Sequence, residues 1–395
     1  MAEEPAAFSQ LSLKQAVARA IERNPLVVES TLEWRRAQGA AAGITGILAE
    51  NPVVSAEVGK RKDQGWFGYQ NSFAARVEQP LDLLGQAQTR RHAADDQVTW
   101  AKARLSLVRA EIGARTQAAY VLAQVARTRV ALCQERLAMA RQSVEALQMR
   151  ARLGASSDID LRLAEADNSR AQAGLQAAQA LASRALLELR DLLDLPAHSP
   201  ALPSEALLPP PAAPPTTSEP EKLLAHHVSV QAVEKQQLAI DSEIARLERE
   251  RLPRFSLGIA AEGPSAAERF LGFSLSFSPG LWRRNQGPIA EARVERERAE
   301  FERATTLAAL ERHWVALREE QALRLQQLQA IENTLQSEET VRTLVRAGWQ
   351  AGKFDFLRVL LAERSLAETK QARLDLWADL WANVIEINRV LGQEP

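Results

Sequence analysis

Phe273-Ser274-Leu275-Ser276-Phe277-Ser278-Pro279, followed by Gly280-Leu281-Trp282-Arg283-Arg284-Asn285-Gln286-Gly287, is the stretch on which the fold turns. Phe273, Leu275 and Phe277 alternate with Ser274, Ser276 and Ser278, the period-2 pattern of a strand with one apolar and one wet face. Pro279 has no N–H to give a sheet ladder and ends the strand. From Pro288 onward the pattern turns helical and stays so for about 60 residues. The chain makes this strand-to-long-helix passage twice.

Upstream of that strand, Phe255, Leu257, Ile259 and Ala261 alternate after Leu252-Pro253, and Glu262 to Arg269 makes the turn. In the first half, Val54, Ala56 and Val58 alternate after Asn51-Pro52, and Phe73, Ala75 and Val77 do so before Gln79-Pro80. Trp66, Phe67 and Tyr69 lie in the loop between them, where amphipathic rings suit a lipid headgroup level. These segments predict two β-hairpins, over 52–80 and 253–279.

Long helices fill the rest. Ser12, with Gln15 three residues on, predicts a capping box opening a helix that runs to about Glu50, with a break at Asn24-Pro25. From Gln86 to Arg152 there is no proline, and Leu105, Val108, Ile112, Ala119, Leu122, Ala126, Val130, Cys133, Leu137, Ala140, Val144 and Leu147 step by threes and fours, with one step of seven, as a coiled-coil stripe. Cys133 sits within it as a packing residue. Gly154 breaks the helix at a tip, 153–157, and a second helix returns to Leu195. Pro196 to Pro220 holds 9 of the 18 prolines and reads as a stiff, extended linker. Ser218-Glu219-Pro220 then starts a helix to about Arg251. After the second hairpin a long helix spans 289–348, with Val294, Phe301, Ala308, Val315 and Ala322 seven apart. A tip at 349–354 and a last helix from Asp355 to Leu391-Gly392 complete the chain.

The halves register: Pro52 and Pro253 are 201 apart, Pro80 and Pro279 are 199 apart, and Gly154 and Gly352 are 198 apart. This predicts a tandem duplication, with a first repeat over 1–195, the linker over 196–220 and a second repeat over 221–395.

Bulk numbers narrow the function classes. The net charge of −1 carries no nucleic-acid footprint, and one cysteine excludes an intramolecular disulfide or a cysteine zinc cluster. There is no run of 18 apolar residues to make a transmembrane helix, and Met1-Ala2-Glu3-Glu4-Pro5 lacks the basic and apolar parts of a signal peptide. The hairpin strands, however, are near the length that tilted strands need to cross a bilayer. Four strands cannot close a barrel alone, and open edges cannot face lipid, so several chains would share one barrel; three would supply twelve strands. The alternative is two hairpin decorations on a helical rod.

The chain resembles the TolC-like outer-membrane efflux proteins, in particular the CzcC/CusC-type branch paired with metal-exporting pumps. The resemblance spans nearly the whole chain. It rests on Leu11-Ser12-Leu13-Lys14-Gln15-Ala16-Val17, Asn24-Pro25, the Pro279…Asn285-Gln286-Gly287-Pro288-Ile289-Ala290-Glu291-Ala292 junction, the Gly154 and Gly352 tips and the closing Leu391-Gly392. It implies a mainly α fold with a small β part: coiled-coil α-hairpins forming an α-barrel, and two β-hairpins giving four strands to a trimeric outer-membrane β-barrel. The expected location is the Gram-negative outer membrane, extending into the periplasm, with the chain trimmed of its signal. The implied partners are two further copies of itself, a periplasmic adaptor (membrane fusion protein), an inner-membrane RND pump and outer-membrane lipid. Heavy-metal cations are among the implied substrates.

No catalytic constellation, cofactor site or phosphate loop is present, so no enzyme is expected. The histidines His92, His198, His226, His227 and His313 lack partners at metal-ligand spacing; the adjacent pair His226-His227 diverges on a helix and reads as surface or packing histidines. By resemblance, the tips Leu153, Gly154, Ala155, Ser156 and Ala351, Gly352, Lys353 dock the adaptor. Asp158, Asp160, Asp355 and Arg358 then lie at the tunnel entrance, where three copies of Asp160 would favour cations. Arg358 occupies the second repeat's equivalent of Asp160, and Leu361 stands where a further acid can occur, which suggests an Arg358–Asp160 salt bridge between hairpins. Phe73, Val77, Phe255, Leu257, Ile259, Phe273, Leu275 and Phe277 form the expected lipid face. The readings set against a channel are a coiled-coil scaffold and a periplasmic adaptor, which normally has one α-hairpin rather than two.

Overall fold

The computed structural model describes residues 10–44, 48, 50–62, 69–152, 157–196, 199, 202–211, 220–264, 269–280, 282 and 284–392. Contacts divide the chain into two units that cut across the sequence halves. One comprises 1–28, 108–227 and 308–395, and the other 29–107 and 228–307.

In the first unit, β1 (Gln10–Leu11) leads into α1 (Leu13–Arg23). Ser12 accepts the Gln15 backbone N–H while the Gln15 side chain accepts from Ser12 N, the expected capping box. Asn24 ends α1, and its Oδ1 accepts from Leu26 N at 3.1 Å, opening α2 (Pro25–Ala42). That helix stops short of the expected Glu50, after a run holding Gly39 and Gly43, which give a helix the least support. From α3 (Gln86–Arg152), residues 108–152 belong here, together with α4 (Asp158–Leu192), β4 (Leu202–Pro203) and α5 (Pro220–Ala225). The second half adds 308–350 of α7 (Gln286–Gln350) and all of α8 (Phe356–Leu391). Ile112, Ala119, Leu137, Ala140 and Leu147 of the α3 stripe are buried here, and Leu122 is exposed; Leu105, in the other unit, is also buried.

The α7 stripe behaves differently. Val294, Phe301 and Val315 face out, and the buried positions between 310 and 321 are Leu310, Trp314, Leu317 and Gln321. The larger Leu310–Trp314–Leu317 face outweighs a seam that includes Ala308 and Ala322, so the helix turns that face inward.

Of the proline-rich segment, the described run is 202–211, and it is bound along its length. β4 pairs in parallel with β1, and Ser204 N donates to Leu11 O at 3.0 Å. Proline offers no N–H, so beyond that bond the strap is held through its carbonyls. Arg127 Nη1 donates to Pro203 O, Gln124 Nε2 to Glu205 O and Trp381 Nε1 to Leu208 O, at 3.1, 3.0 and 2.9 Å. Leu207 packs against the cluster of Val121, Val125, Leu374 and Ile385.

The second unit holds the rest of α2, β2 (Val53–Lys62), β3 (Tyr69–Leu81), the start of α3, α6 (Val228–Arg249), β5 (Arg254–Pro264), β6 (Phe270–Ser278) and the start of α7. The expected single helix from 218 to 251 is broken between α5 and α6 at His226-His227. The strands form one antiparallel sheet in the order β2-β3-β5-β6. β3 runs through Pro80, which pairs in register with Ser256, so the proline does not close the hairpin where the sequence suggested.

Candidate functional site

The ladder registers put the alternating apolar residues of all four strands on one face. Val54, Val77, Ile259 and Phe273 form one row across the sheet. Leu257 and Leu275 pair beside it, and Phe255 pairs with Phe277, their ring centroids 5.4 Å apart. All eight residues read as a lipid face, Phe73, Val77, Phe255, Leu257, Ile259, Phe273, Leu275 and Phe277, therefore share this side. It is bare: Phe273 is 87% exposed and Val58 84%. The band is uncharged from Leu81 to Phe73 along β3, and Lys60, paired with Asn71, begins a polar rim beyond it. Tyr69 is exposed at that rim, while Trp66 and Phe67 lie outside the described residues.

The opposite face is polar and small-residued. Ser55, Glu57, Ser72, Arg76, Glu78, Ser256, Glu262, Ser274 and Ser276 lie there, and Ser276 Oγ donates to Glu78 Oε1 at 3.2 Å. A Cβ at Gly258 would stand 2.6 Å from Ser274 Oγ, so this side packs closely at its centre. The outer edges of β2 and β6 have no strand partner among the described residues.

In the first unit, the second tip is a built turn. Gly352 takes φ +71°, its N–H donates to Trp349 O at 3.0 Å, and Lys353 N donates to Gly348 O at 2.9 Å. That pair of bonds is a Schellman ending, which needs a left-handed residue at the glycine's place. The Phe354 ring folds onto Gly348, in the space any Cβ there would fill. Asp355 caps α8 by accepting Arg358 N at 3.4 Å. The first tip residues Leu153, Gly154, Ala155 and Ser156 lie outside the described residues. Beyond them Ser157 caps α4, with Asp158 exposed and Asp160 half-buried in its first turn.

The expected Arg358–Asp160 bridge is not formed within the chain. Arg358 pairs with Asp355 at 3.7 Å and lies 5.1 Å over the Phe354 ring, its nearer neighbours in sequence. The two hairpins are joined instead by Arg150 and Trp349. The guanidinium stands 4.2 Å above the indole and reaches the Trp349 carbonyl at 3.5 Å. Trp349 also tilts against Phe356 at 6.2 Å, beside a buried cluster of Leu147, Ala164, Phe356 and Val359. An arginine ahead of one tip and a tryptophan ahead of the other were the available sequence signal.

His227 is buried, and its Nε2 lies 3.0 Å from Arg389 O. Burial pushes its pKa below the ordinary histidine range, against the raising effect of that carbonyl. This is a packing role. It parallels Asn24, whose Nδ2 donates to Leu192 O at 3.1 Å near the end of the other return helix. Arg389 and His313, the latter at 2.9 Å, both bond Glu386 and hold its carboxyl below the usual range, the arginine contributing most. Glu363 borders a groove with Arg129, Cys133, Arg136, Arg342 and Lys370; burial raises its pKa, opposed by Arg346 and Arg342. Among the described residues no group of three metal-ligating side chains converges, and no helix is long and apolar enough to cross a membrane.

No protein-family model matches the chain. It is similar to the cobalt-zinc-cadmium resistance protein CzcC of Cupriavidus metallidurans, with 25% identity over 336 residues, 81% of this chain and 77% of that protein. Among solved structures, CusC, studied for the changes accompanying folding and transmembrane channel formation, matches with a TM-score of 0.78 and 19% identity, over 98% of this chain and 93% of that one. The outer membrane protein VceC of Vibrio cholerae matches with a TM-score of 0.79 and 16% identity, over 99% of each chain.

Proposed function

We propose, from the premise that this chain is TolC-like in fold, that it is a subunit of a passive outer-membrane export channel. The observation that carries the reading is the sheet: one uncharged face of exposed Val, Leu, Ile and Phe, one polar face, and two outer edges without strand partners among the described residues. In water, leaving such a face bare forgoes about 1.5–3 kcal/mol for each large side chain that could be buried. Lipid covers the face, and pairing of β2 with β6 of the next copy satisfies the edge groups that hydrocarbon cannot. Three copies make a twelve-stranded barrel whose polar faces line the lumen.

The finer reading follows the resemblance. The helical hairpins line a periplasmic tunnel, and the tips at 153–156 and 351–353 dock a periplasmic adaptor that connects to an inner-membrane pump. Asp158, Asp160, Asp355 and Arg358 stand at the tunnel entrance. The likeness to a cobalt-zinc-cadmium resistance protein supports heavy-metal cations as the exported class. The subunit's chemistry is conduction and gating, with energy supplied by the pump.

Membrane fractionation of the full-length product, followed by planar-bilayer recording, tests this. A detergent-soluble trimer from the outer membrane that gives discrete conductance steps is the expected result. A water-soluble monomer or dimer without conductance would remove the channel.

A further inference from the structure

The hydrogen-bonded rows of the sheet do not run level with the ends of its strands. The row that begins at Val53, the first residue of β2, passes through Glu78 and Gly258 to Ser274, four residues short of the β6 end at Ser278. From the other side, the row that begins at Phe270, the first residue of β6, passes through Glu262 and Ala74 to Glu57, five residues short of the β2 end at Lys62. The rows therefore climb by four or five residues from one outer edge to the other. Those two edges run in opposite directions, because three antiparallel pairings separate them. Each is also bounded by a proline at its helix-side end, Pro52 just before β2 and Pro279 just after β6. Neither proline has an N–H for a ladder, so each marks where its edge stops pairing.

We propose that the shared barrel closes with a four-residue stagger, in which β6 of one copy pairs with β2 of the next so that Ser278 stands opposite Val53 and Phe273 opposite Val58. The inference rests on the channel reading above, which supplies the neighbouring copy, and adds the register in which two copies meet. Only even shifts are open, since a slip of one residue turns the apolar face of one copy toward the lumen of the next. Among them, this register gives all nine residues of β6 a partner in β2 and sets Pro279 against Pro52 just outside the seam. Shifted two residues one way, Phe277 meets Pro52; shifted two the other way, Val54 meets Pro279. Either slip leaves backbone groups unpaired within the apolar band, where hydrocarbon supplies no substitute. The chosen register also joins the two barest residues of the face, Phe273 at 87% and Val58 at 84% exposed, as an aromatic and β-branched cross-strand pair. Val58 already faces Phe73 of its own chain, so its second side is filled in the same way. The tilt of the barrel follows. A climb of four residues per copy, repeated three times around twelve strands, inclines the strands by about 35° at ~3.4 Å per residue and ~4.8 Å between strands, a tilt that barrels adopt.

Disulfide trapping in the full chain tests the register. In a Cys133→Ala background, Ser276→Cys is combined with Ser55→Cys, and separately Phe277→Cys with Val54→Cys. Neighbouring pairs alternate between wide and close spacing, so one of the two has the close geometry that a disulfide needs. Ser276→Cys with Glu57→Cys, and Ser276→Cys with Val53→Cys, report the registers two residues to either side. After oxidation of outer membranes with copper phenanthroline, at least one matched pair should shift the chain from monomer to a covalent three-chain species on non-reducing gels, and the two offset pairs should leave it mostly monomeric. Efficient linking of an offset pair overturns the register and leaves the shared barrel standing. An outer-membrane trimer that links through none of the four pairs overturns it as well. A chain that stays water-soluble and monomeric overturns the channel reading, and the seam with it.

Discussion

Replacing Phe273 with arginine separates a membrane sheet from a soluble one by energy rather than by appearance. Phe273 shares its row with Val77, midway along the band that runs on β3 from Phe73 to Leu81. Eight residue steps at ~3.4 Å, tilted by ~40°, make a band about 20 Å tall, so that row sits near a bilayer midplane. An arginine there costs about 2–4 kcal/mol, and losing the phenyl group's burial adds about 2 kcal/mol. Together these come to about 4–6 kcal/mol, and even half of the upper figure, ~3 kcal/mol per chain, shifts the folded-to-unfolded ratio by more than 100-fold at about 1.4 kcal/mol per decade. Glu57→Arg is the matched control, since Glu57 is exposed on the polar face opposite Ala74. Facing a wet lumen it should fall within ~0.5 kcal/mol of wild type. In a water-soluble scaffold, Phe273→Arg would also be close to neutral, because the side chain is already 87% exposed. Urea unfolding of the full chain in vesicles, followed by electrophoretic mobility, measures both variants. If Phe273→Arg resists urea as well as Glu57→Arg does, the lipid-face argument is wrong.

Other perturbations have equally definite outcomes. Gly352→Ala puts a Cβ on a residue at φ +71° and should cost about 1–2 kcal/mol in thermal denaturation, and Gly348→Ala should also destabilise because Phe354 must leave its place. Trp349→Ala should cost ~2 kcal/mol or more through the Leu147–Phe356 cluster, whereas Arg150→Ala removes only the stacked cation, worth ~0.5–1 kcal/mol; a larger loss for Arg150 would reverse that ranking. Gln86→Ala should be the costlier of the two junction glutamines, because Gln86 is buried and also donates to Pro253 O, while Gln286 is exposed. Acid should weaken the His227 clasp. Its folded pKa lies below the ordinary 6.5, so its contribution is present above that value and lost as pH falls through the folded one. His227→Asn should flatten the drop in melting temperature between about pH 7 and pH 5.5, with the Glu386 contribution lost only below its ordinary 4.5; an unchanged slope would remove His227 as the cause.

What the sequence disclosed is what depends on short-range period. The Ser12 capping box, the 67-residue span of α3 and the alternation in β6 follow from neighbours within a turn or a pleat, and the structure has each of them. Features decided by competition between faces were less legible. The α7 heptad of Val294, Phe301 and Val315 is a real pattern, but Leu310, Trp314 and Leu317 offer more area and take the interior. The proline-rich strap shows the same limit, because prolines announce an extended chain without saying which donors will hold its carbonyls. Arg127, Gln124 and Trp381 come from two different helices, and no spacing rule connects them to Pro203, Glu205 and Leu208.

Comparison of like places in the two halves shows why the functional parts were harder to read than the frame. At the helix breaks, Asn24 reaches Leu192 O and His227 reaches Arg389 O, so one clasp is made by two side chains with different chemistry. At the sheet junctions, a glycine and an asparagine fill the same left-handed place, and exposed Leu83 precedes one while exposed Trp282 precedes the other. A sequence offset finds the prolines and glycines that both halves share. It passes over positions where geometry is kept and residue type is not. Geometry is held because four strands must end at one level for the helices to begin there. Residue type is free to diverge wherever a single hydrogen bond or a single apolar group is all that the place requires.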